Sequence, residues 1–461
     1  MKSLFTTILV STITLVQAQF SNEVADSLQK ILEAALPPGH LNPGAVMNIY
    51  VPGEYNWSGA AGYSVSGTTT GIVAKTAVNT DHFRVGSLTK LMVATSVLLL
   101  EETGQLSITD DISLYLRSSL INDTIQSSTG VTIEQLLNHT SGIANAAANQ
   151  TCQQDALSDL TRFFSLEEAV NCGASQGEEF VPGSSWSYSN TNYTLLAMII
   201  EEVTAQELKT YLQTNIFVPL NLQDTYVPES NELTEDHLGC YWQVGFPFGL
   251  VDMSIVSPSL YKGWADVVST TEDLTRFLEA LLGEQIISEA SLSKMEAPNP
   301  ESSNYGLGME LYTINPDGYQ GHSGEVGNTS GLFYSNLSTN LIPNGYYISY
   351  NFTYQGASSL VDVDQKVYTY LKDLEASPAG FLEGQEGAQV DVYPNPTSGI
   401  ININTNVNEV LNVRLYSTQG QLIKSEIING KSVDYSGLDN GIYILSITSE
   451  NQTFTKKITL N

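Results

Sequence analysis

Residues 83–100 run Phe83-Arg84-Val85-Gly86-Ser87-Leu88-Thr89-Lys90-Leu91-Met92-Val93-Ala94-Thr95-Ser96-Val97-Leu98-Leu99-Leu100. From Ser87 the spacing of Leu91, Val93, Ala94, Val97, Leu98 and Leu100 predicts a helix that ends near Gly104. It is apolar on nearly every side, and such a helix is buried. Ser87 and Lys90 stand three residues apart, so they share a face and the amine can reach the hydroxyl. A lysine can take that proton only if burial and nearby positive charge lower its pKa. This Ser-x-x-Lys segment therefore predicts both a nucleophile and the helix around which the chain folds.

The motif alone is weak, because Ser27 with Lys30 and Ser291 with Lys294 match it too. Ser27 falls on an amphipathic helix that precedes every strand, and Ser291 on a short polar helix leading to Pro298. Only Ser87 opens a helix apolar enough to be buried with its first turn facing a cleft. Backbone N–H groups at that turn would stabilise developing negative charge.

On the N-terminal side, Ser21 to Leu36 reads as a helix stopped by Pro37-Pro38. Ala45 to Val51 and Tyr55 to Tyr63 read as strands joined at Pro52-Gly53. On the C-terminal side come helices at Asn192 to Val203 and Thr271 to Leu282. Strand character returns at Gly306 to Thr313, Thr329 to Ser335 and Gly345 to Tyr350, and a helix from Ser359 to Leu374 follows. Strands at both ends with helices between predict an α/β fold: an antiparallel sheet built from the two ends, flanked by helices, with a mostly helical insertion.

Glu375 to Gln389 has no periodicity and reads as a linker. Beyond it, short alternating strands with turns at Gln419-Gly420, Asn429-Gly430 and Asp439-Asn440-Gly441 predict a small Ig-like β-sandwich. At the other end Lys2, the apolar stretch Leu4 to Val16 and Val16-Gln17-Ala18 read as a secretory signal cleaved before Gln19. That stretch falls short of the roughly 20 residues a membrane span needs. The expected division is thus 1–18 signal, 19–374 the domain built around Ser87, 375–389 linker and 390–461 C-terminal domain.

The 461 residues carry a formal net charge of −31. Such acidity argues against nucleic acid or an anionic membrane as partner. Stable membrane insertion is not expected. Residues from Val390 onward hold five basic and six acidic side chains, so nearly all the charge lies before Val390. Export permits a disulfide, and Cys152 with Cys172 is the nearest pair in sequence; Cys240 makes an odd third. The cysteines and the five histidines show no metal-ligand spacing, so neither metal nor other cofactor is expected.

Two further motifs follow Ser87. In Tyr188-Ser189-Asn190 a phenol can relay a proton to a leaving group, and an amide two residues on can hold a substrate carbonyl. His322-Ser323-Gly324 precedes a predicted strand that could pair as an edge with an extended substrate. Tyr334-Ser335-Asn336 and His237-Leu238-Gly239 imitate these motifs. What favours the first set is the order, with 101 residues from Ser87 to Tyr188 and 134 from there to His322.

With these motifs, residues 21–374 resemble the serine β-lactamase and penicillin-binding superfamily, in the branch of class C β-lactamases, D-alanyl-D-alanine carboxypeptidases, D-aminopeptidases and related esterases. Leu136-Leu137-Asn138-His139-Thr140-Ser141-Gly142, Ser269-Thr270-Thr271-Glu272-Asp273-Leu274 and Tyr305-Gly306-Leu307-Gly308 are similar as well. The resemblance implies a β-lactamase-like fold in which Ser87 attacks a carbonyl while Lys90 and Tyr188 share the general-base work. Tyr188 then protonates the leaving group, Asn190 orients the substrate and His322 tunes the proton network. The N–H groups of Ser87 and Glu325 would form the oxyanion hole, and His139 packs a loop. The tail, with Tyr393-Pro394-Asn395-Pro396-Thr397-Ser398-Gly399, Leu438-Asp439-Asn440-Gly441-Ile442-Tyr443 and Lys456-Lys457-Ile458, resembles a Por-type (type 9) secretion sorting domain. That implies the type 9 secretion machinery as a partner and a secreted or cell-surface protein, exported through the periplasm of a Gram-negative bacterium.

Glu325 departs from the pattern, because relatives acting on peptide carboxylates or β-lactams often place a hydroxyl residue there. On a strand, Ser323 and Glu325 share a face. A substrate carboxylate about 4 Å from Glu325 would be repelled by roughly 4 kcal/mol at an effective dielectric of about 20, around a thousandfold in affinity. The expected substrate is a small molecule or short peptide: an ester or D-amino-acid amide, neutral or with a free amine. A D-alanyl-D-alanine carboxypeptidase or β-lactamase is the alternative within the class. A catalytically silent binding protein of the same fold is the alternative outside it.

Overall fold

The amphipathic N-terminal segment forms α1 (Asn22–Ala34), which buries Leu28 and Leu32. It packs on a hairpin of β1 (Gly44–Val51) and β2 (Tyr55–Val65), paired from Gly44↔Gly62 to Val51↔Tyr55. The computed structural model describes residues 22–36, 43–65, 75–117, 130–233, 236–244, 249–302, 304–314, 316–339, 341–355, 360–376, 390–405, 411–417, 422–428, 432–448 and 453–461. The expected signal segment, most of the expected linker, and the turns at Gln419-Gly420 and Asn429-Gly430 lie outside the described residues.

After β3 (Lys75–Thr76) and β4 (Phe83–Arg84), a 3-10 turn over Gly86–Leu88 runs into α2 (Thr89–Glu102). Its composition leaves no polar stripe for water, and 11 of its 14 residues are buried. The insertion goes on through α3 (Ile133–Leu137), α4 (Gln150–Ser158), α5 (Leu166–Ala174), α6 (Asn190–Thr204) and α7 (Leu208–Leu212), of which α6 and α7 pack on α2. Capping boxes at Thr132/Gln135 and Ser165/Glu168 start α3 and α5, satisfying first-turn N–H groups that would otherwise be orphaned. A disulfide joins Cys152 of α4 to Cys172 of α5, and Cys240 is a buried free thiol. The insertion also holds two small ladders that periodicity does not reveal. β5 (Tyr241–Val244) pairs with β6 (Gly249–Asp252), and β7 (Val268–Ser269) pairs with β4.

Past α8 (Thr271–Leu282) and α9 (Glu289–Glu296) come β8 (Glu310–Ile314), β9 (Asp317–Glu325), β10 (Thr329–Ser335), β11 (Tyr346–Phe352) and α10 (Leu360–Ala376). The first of these strands starts later than Gly306 because Gly306 N–H turns back to the Met309 carbonyl and Gly308 takes φ +74°. The main sheet is antiparallel in the order β3-β2-β1-β11-β10-β9-β8, closed between the two ends of the domain at Ala45↔Phe352. One face carries α8, whose Thr275 hydroxyl donates to Asn48 and meets the Ser349 hydroxyl. The next residue, Tyr350, points to the other face and reaches Asp364 of α10. This is the expected antiparallel sheet flanked by helices, with a mainly helical insertion.

The chain divides into two compact units, Met1–Ser338 with Ile342–Tyr368, and Thr339–Leu341 with Thr369–Asn461, so that one boundary falls inside α10. In the second unit β12 (Val390–Tyr393), β13 (Ile400–Thr405), β14 (Leu411–Ser417), β15 (Leu422–Ile428), β16 (Ser432–Asp434), β17 (Gly441–Thr448) and β18 (Thr453–Leu460) form two sheets. Their orders are β12-β13-β16 and β15-β14-β17-β18. Ile401, Ile403, Val413, Leu415, Leu445 and Ile447 alternate inward from both sheets into one core, giving the expected small β-sandwich.

Candidate active site

Ser87 occupies the 3-10 turn and Lys90 the first turn of α2, so their three-residue spacing becomes contact: Lys90 Nζ lies 2.8 Å from Ser87 Oγ. The amine also donates to the Trp264 carbonyl at 3.2 Å and sits over the rings of Tyr188, Tyr193 and Trp264. Lys90 is 0% exposed. Burial drives its pKa well below the ordinary lysine value, and the charge of Glu310 only partly opposes that shift. Neither imitation of the motif has these surroundings. Ser27 donates back to the Glu23 carbonyl of its own exposed helix, and Lys294 is paired with Glu101 at 2.8 Å.

The loop carrying Ser87 is pinned from the sheet. Asn328 Nδ2 donates to the Arg84 carbonyl and Ser330 Oγ to that of Val85. β9 crosses the turn so closely that a side chain on Gly86, at φ +62°, would stand 2.6 Å from the Glu325 nitrogen. One on Gly324 would stand 2.3 Å from the Val85 oxygen. Both glycines are needed for the backbone of Glu325 to approach that of Ser87.

Tyr188 and Asn190 lie immediately before and at the start of α6. Burial pushes the Tyr188 pKa well above that of a free phenol, with the charge of Glu310 adding to the shift and a side-chain hydrogen bond with Ser87 opposing it. Asn190 is 6% exposed; its backbone N–H is held by Asn145 Oδ1 at 3.1 Å. His322 on β9 accepts from the Tyr305 hydroxyl at Nε2, 3.0 Å away, while Nδ1 faces the Ser323 carbonyl at 2.5 Å. That assigns the proton to Nδ1. Burial lowers the His322 pKa, so the ring favours its neutral form.

The motifs legible in sequence thus converge on one cavity of about 550 Å3, lined by Ser87, Tyr188, Asn190, Ser323, Gly324 and Glu325 among others. His322 and Lys90 stand just behind that lining. Among the described residues no His, Cys, Asp or Glu cluster could hold a metal, and no helix is long and apolar enough to cross a membrane.

Two further residues here lie outside the three motifs that carry the chemistry. Glu310 lines the cavity from β8: its Oε2 accepts the Ser323 N–H at 3.0 Å and its Oε1 the Ser323 hydroxyl at 2.8 Å. β9 lies between β10 and β8 and pairs with β8 only as far as Gly321, so its end from Ser323 to Glu325 runs on past β8, with the Ser323 N–H taken by Glu310. His139, expected to pack a loop, lies tilted at 42° against the Tyr188 ring, 4.3 Å between centroids. A family pattern points at His139, but only the fold brings it to Tyr188.

Comparison with known proteins gives the same architecture. The family described as Beta-lactamase matches residues 30–349, and that described as Secretion system C-terminal sorting domain matches residues 391–461. Penicillin-binding protein 4* of Bacillus subtilis is 31% identical over 245 residues, covering 50% of this chain and 52% of that protein. Protein flp of Staphylococcus aureus is 27% identical over 339 residues, covering 70% and 62%. The chain therefore spans about half to two thirds of the length of these curated relatives. Among solved structures, a D-stereospecific amidohydrolase from Streptomyces sp. matches with a TM-score of 0.63 and 26% identity, over 78% of this chain and 99% of that one. D-amino acid amidase from Ochrobactrum anthropi SV3 shares the fold, with a TM-score of 0.63 at 21% identity over 76% and 99%.

Proposed function

Because the chain belongs to the Beta-lactamase family, whose members include serine hydrolases, we propose that it is an exported serine hydrolase working through an acyl-enzyme on Ser87. The observation that carries this reading is the fully buried Lys90 amine 2.8 Å from the Ser87 hydroxyl at the base of a cavity. An amine with a depressed pKa is free to accept a proton at neutral pH. In the proposed sequence Lys90 takes the Ser87 proton as Oγ attacks the substrate carbonyl. The backbone N–H groups of Ser87 and Glu325 hold the oxyanion. Tyr188, whose raised pKa keeps it protonated, donates to the leaving group and is reprotonated by the proton that Lys90 took from Ser87. Asn190 orients the substrate, His322 with Ser323 and Gly324 shapes the wall beside it, and water hydrolyses the ester to Ser87 in a second cycle.

The substrate we favour is an ester or a D-amino-acid amide or peptide. The likeness to a D-stereospecific amidohydrolase supports the amide half of that statement. The likeness to penicillin-binding protein 4* supports the rival reading, a D-alanyl-D-alanine carboxypeptidase or β-lactamase. Against the rival, no lysine, arginine or histidine lines the cavity among the described residues, while Glu310 and Glu325 do. The sorting domain implies a secreted or cell-surface protein. We assign residues 1–18 to a signal, 19–374 to the hydrolase, 375–389 to a linker and 390–461 to the module read by the type 9 machinery.

The test is turnover of a p-nitrophenyl short-chain ester, a chromogenic cephalosporin and a D-alanyl dipeptide, beside a Ser87→Ala control. We expect ester hydrolysis that falls about a thousandfold in Ser87→Ala, with little cephalosporin turnover. Cephalosporin or dipeptide hydrolysis faster than that of the ester would favour the rival. Rates unchanged by Ser87→Ala would leave only a binding protein.

A further inference from the structure

The cavity beside Ser87 is uneven in chemistry. Its broad walls are aromatic or apolar, with Trp186, Trp242, Tyr261 and Trp264 among them, whereas the wall formed by β8 and β9 is acidic. Glu310 is set where β8 stops pairing with β9, and its carboxylate bridges the gap to Ser323. Two consequences follow. The carboxylate is held in one orientation by the two Ser323 donors, with His322 Nδ1 3.4 Å from Oε1, and each oxygen keeps a lone pair for a ligand. The Ser323 hydroxyl spends its proton on Glu310, so it faces the cavity as an acceptor.

With Glu325 alongside and no basic lining residue among those described, this wall accepts hydrogen bonds and offers no cation. A second observation points to the same kind of ligand. Asn190, 6% exposed on the same cavity, has an amide oxygen without a hydrogen-bond partner, an acceptor that a substrate N–H would satisfy.

We infer that the wall formed by Glu310, Ser323 and Glu325 is a subsite for a protonated primary amine, with Glu310 its principal anchor. The inference rests on the Ser87 hydrolase reading and sharpens it. The acyl half of the substrate carries an ammonium group close to its scissile carbonyl and a large apolar side chain. That side chain lies against the tryptophans, whose ring faces also favour a cation. A substrate carboxylate in the same place meets two like charges. The buried Lys90 amine, favoured in its neutral form, adds little repulsion against the ammonium.

The experiment compares two esters on the full chain: phenylalanine methyl ester, in both configurations, and 3-phenylpropionic acid methyl ester, which lacks only the amine. At pH 6.5 we expect kcat/KM for the better phenylalanine ester to exceed that of the deamino ester by about tenfold or more. The advantage should shrink as pH rises past the amine's own pKa, which the adjacent ester group holds below the ordinary α-amino value. Glu310→Gln should bring the ratio to within about threefold of one. A ratio near one in the wild-type chain would overturn the inference. So would Glu310→Gln lowering both rates by the same factor, which would make Glu310 only a support for β9.

Failure of the hydrolase reading looks different, since neither ester would then show turnover that Ser87→Ala abolishes. In that event calorimetric binding of phenylalaninamide against 3-phenylpropanamide decides the subsite. About tenfold tighter binding of the amine, lost in Glu310→Gln, upholds it, and equal affinities end it.

Discussion

His139 takes φ +65° in a buried loop, and its Nδ1 accepts the Ser189 N–H at 3.2 Å. Accepting there puts the ring proton on Nε2, and burial together with the charge of Lys90 holds the pKa well below the ordinary histidine value. A neutral imidazole is thus pressed on the Tyr188 ring and tied to the residue after it. Its role in the proposed chemistry is positioning, because it touches no reacting atom. His139→Ala would free the Tyr188 ring and orphan the Ser189 N–H. We expect kcat for an ester to fall about 10- to 100-fold with KM little changed, and His139→Phe, which keeps a ring, to lose less. Equal losses in kcat and in melting temperature for both variants would mean the residue serves the fold and not Tyr188. At this scale the sequence was informative where chemistry sits at fixed spacing, as for Ser87 with Lys90. It was silent on Glu310, one polar residue of an ordinary strand whose meaning depends on a register that brings it to Ser323.

Among the elements, α10 holds the most unusual group. Asp364 is buried against the sheet, and its Oδ2 accepts from the hydroxyls of Tyr312 at 2.8 Å and Tyr350 at 3.2 Å. Its Oδ1 has no partner. Burial raises the pKa from 3.8 to about 7, with Glu310 adding to the rise and the two tyrosines opposing it. A folded pKa above the unfolded one means that the native state holds the proton more tightly. The stability this gives is complete below about pH 4 and is lost as pH climbs to about 7. Asp364→Asn keeps an oxygen for both tyrosines and removes the charge. Its unfolding free energy should exceed the wild-type value by up to a few kcal/mol at pH 8, a gain that disappears near pH 4. Urea melts across that range measure it, and a difference independent of pH would show that Asp364 does not titrate there. The burial behind this shift is invisible in sequence. Asp364 lies within a predicted helix, but its face is known only once Tyr350 is placed. Helices with one strong pattern, such as α8, were legible to the residue at Thr271 and Leu282. The β5–β6 and β4–β7 ladders were not, because two to four residues carry too little periodicity.

For the whole molecule, the linker signal and the shift in charge pointed to two modules, and the hydrophobic cores explain the division physically. The helical insertion and sheet share one apolar cluster around α2, whereas the C-terminal strands close on their own set centred on Ile401, Leu415 and Leu445. A sandwich with its own core does not need the first unit to bury its strands. The charge asymmetry agrees, since almost all of the −31 lies outside the last 72 residues. If the tail serves delivery and not catalysis, removing residues 390–461 should leave Ser87-dependent ester hydrolysis within about twofold of the full chain, below the ±0.5 kcal/mol scatter of remote changes. In a bacterium with the type 9 machinery, the same deletion should shift the protein from surface or medium to the periplasm, read by fractionation and immunoblotting. Loss of activity on deletion would mean that the sandwich completes the hydrolase. Unchanged surface delivery would mean that export relies on something other than this tail. Either result would break the link between two cores and two tasks, because a separate core permits a separate function without requiring it.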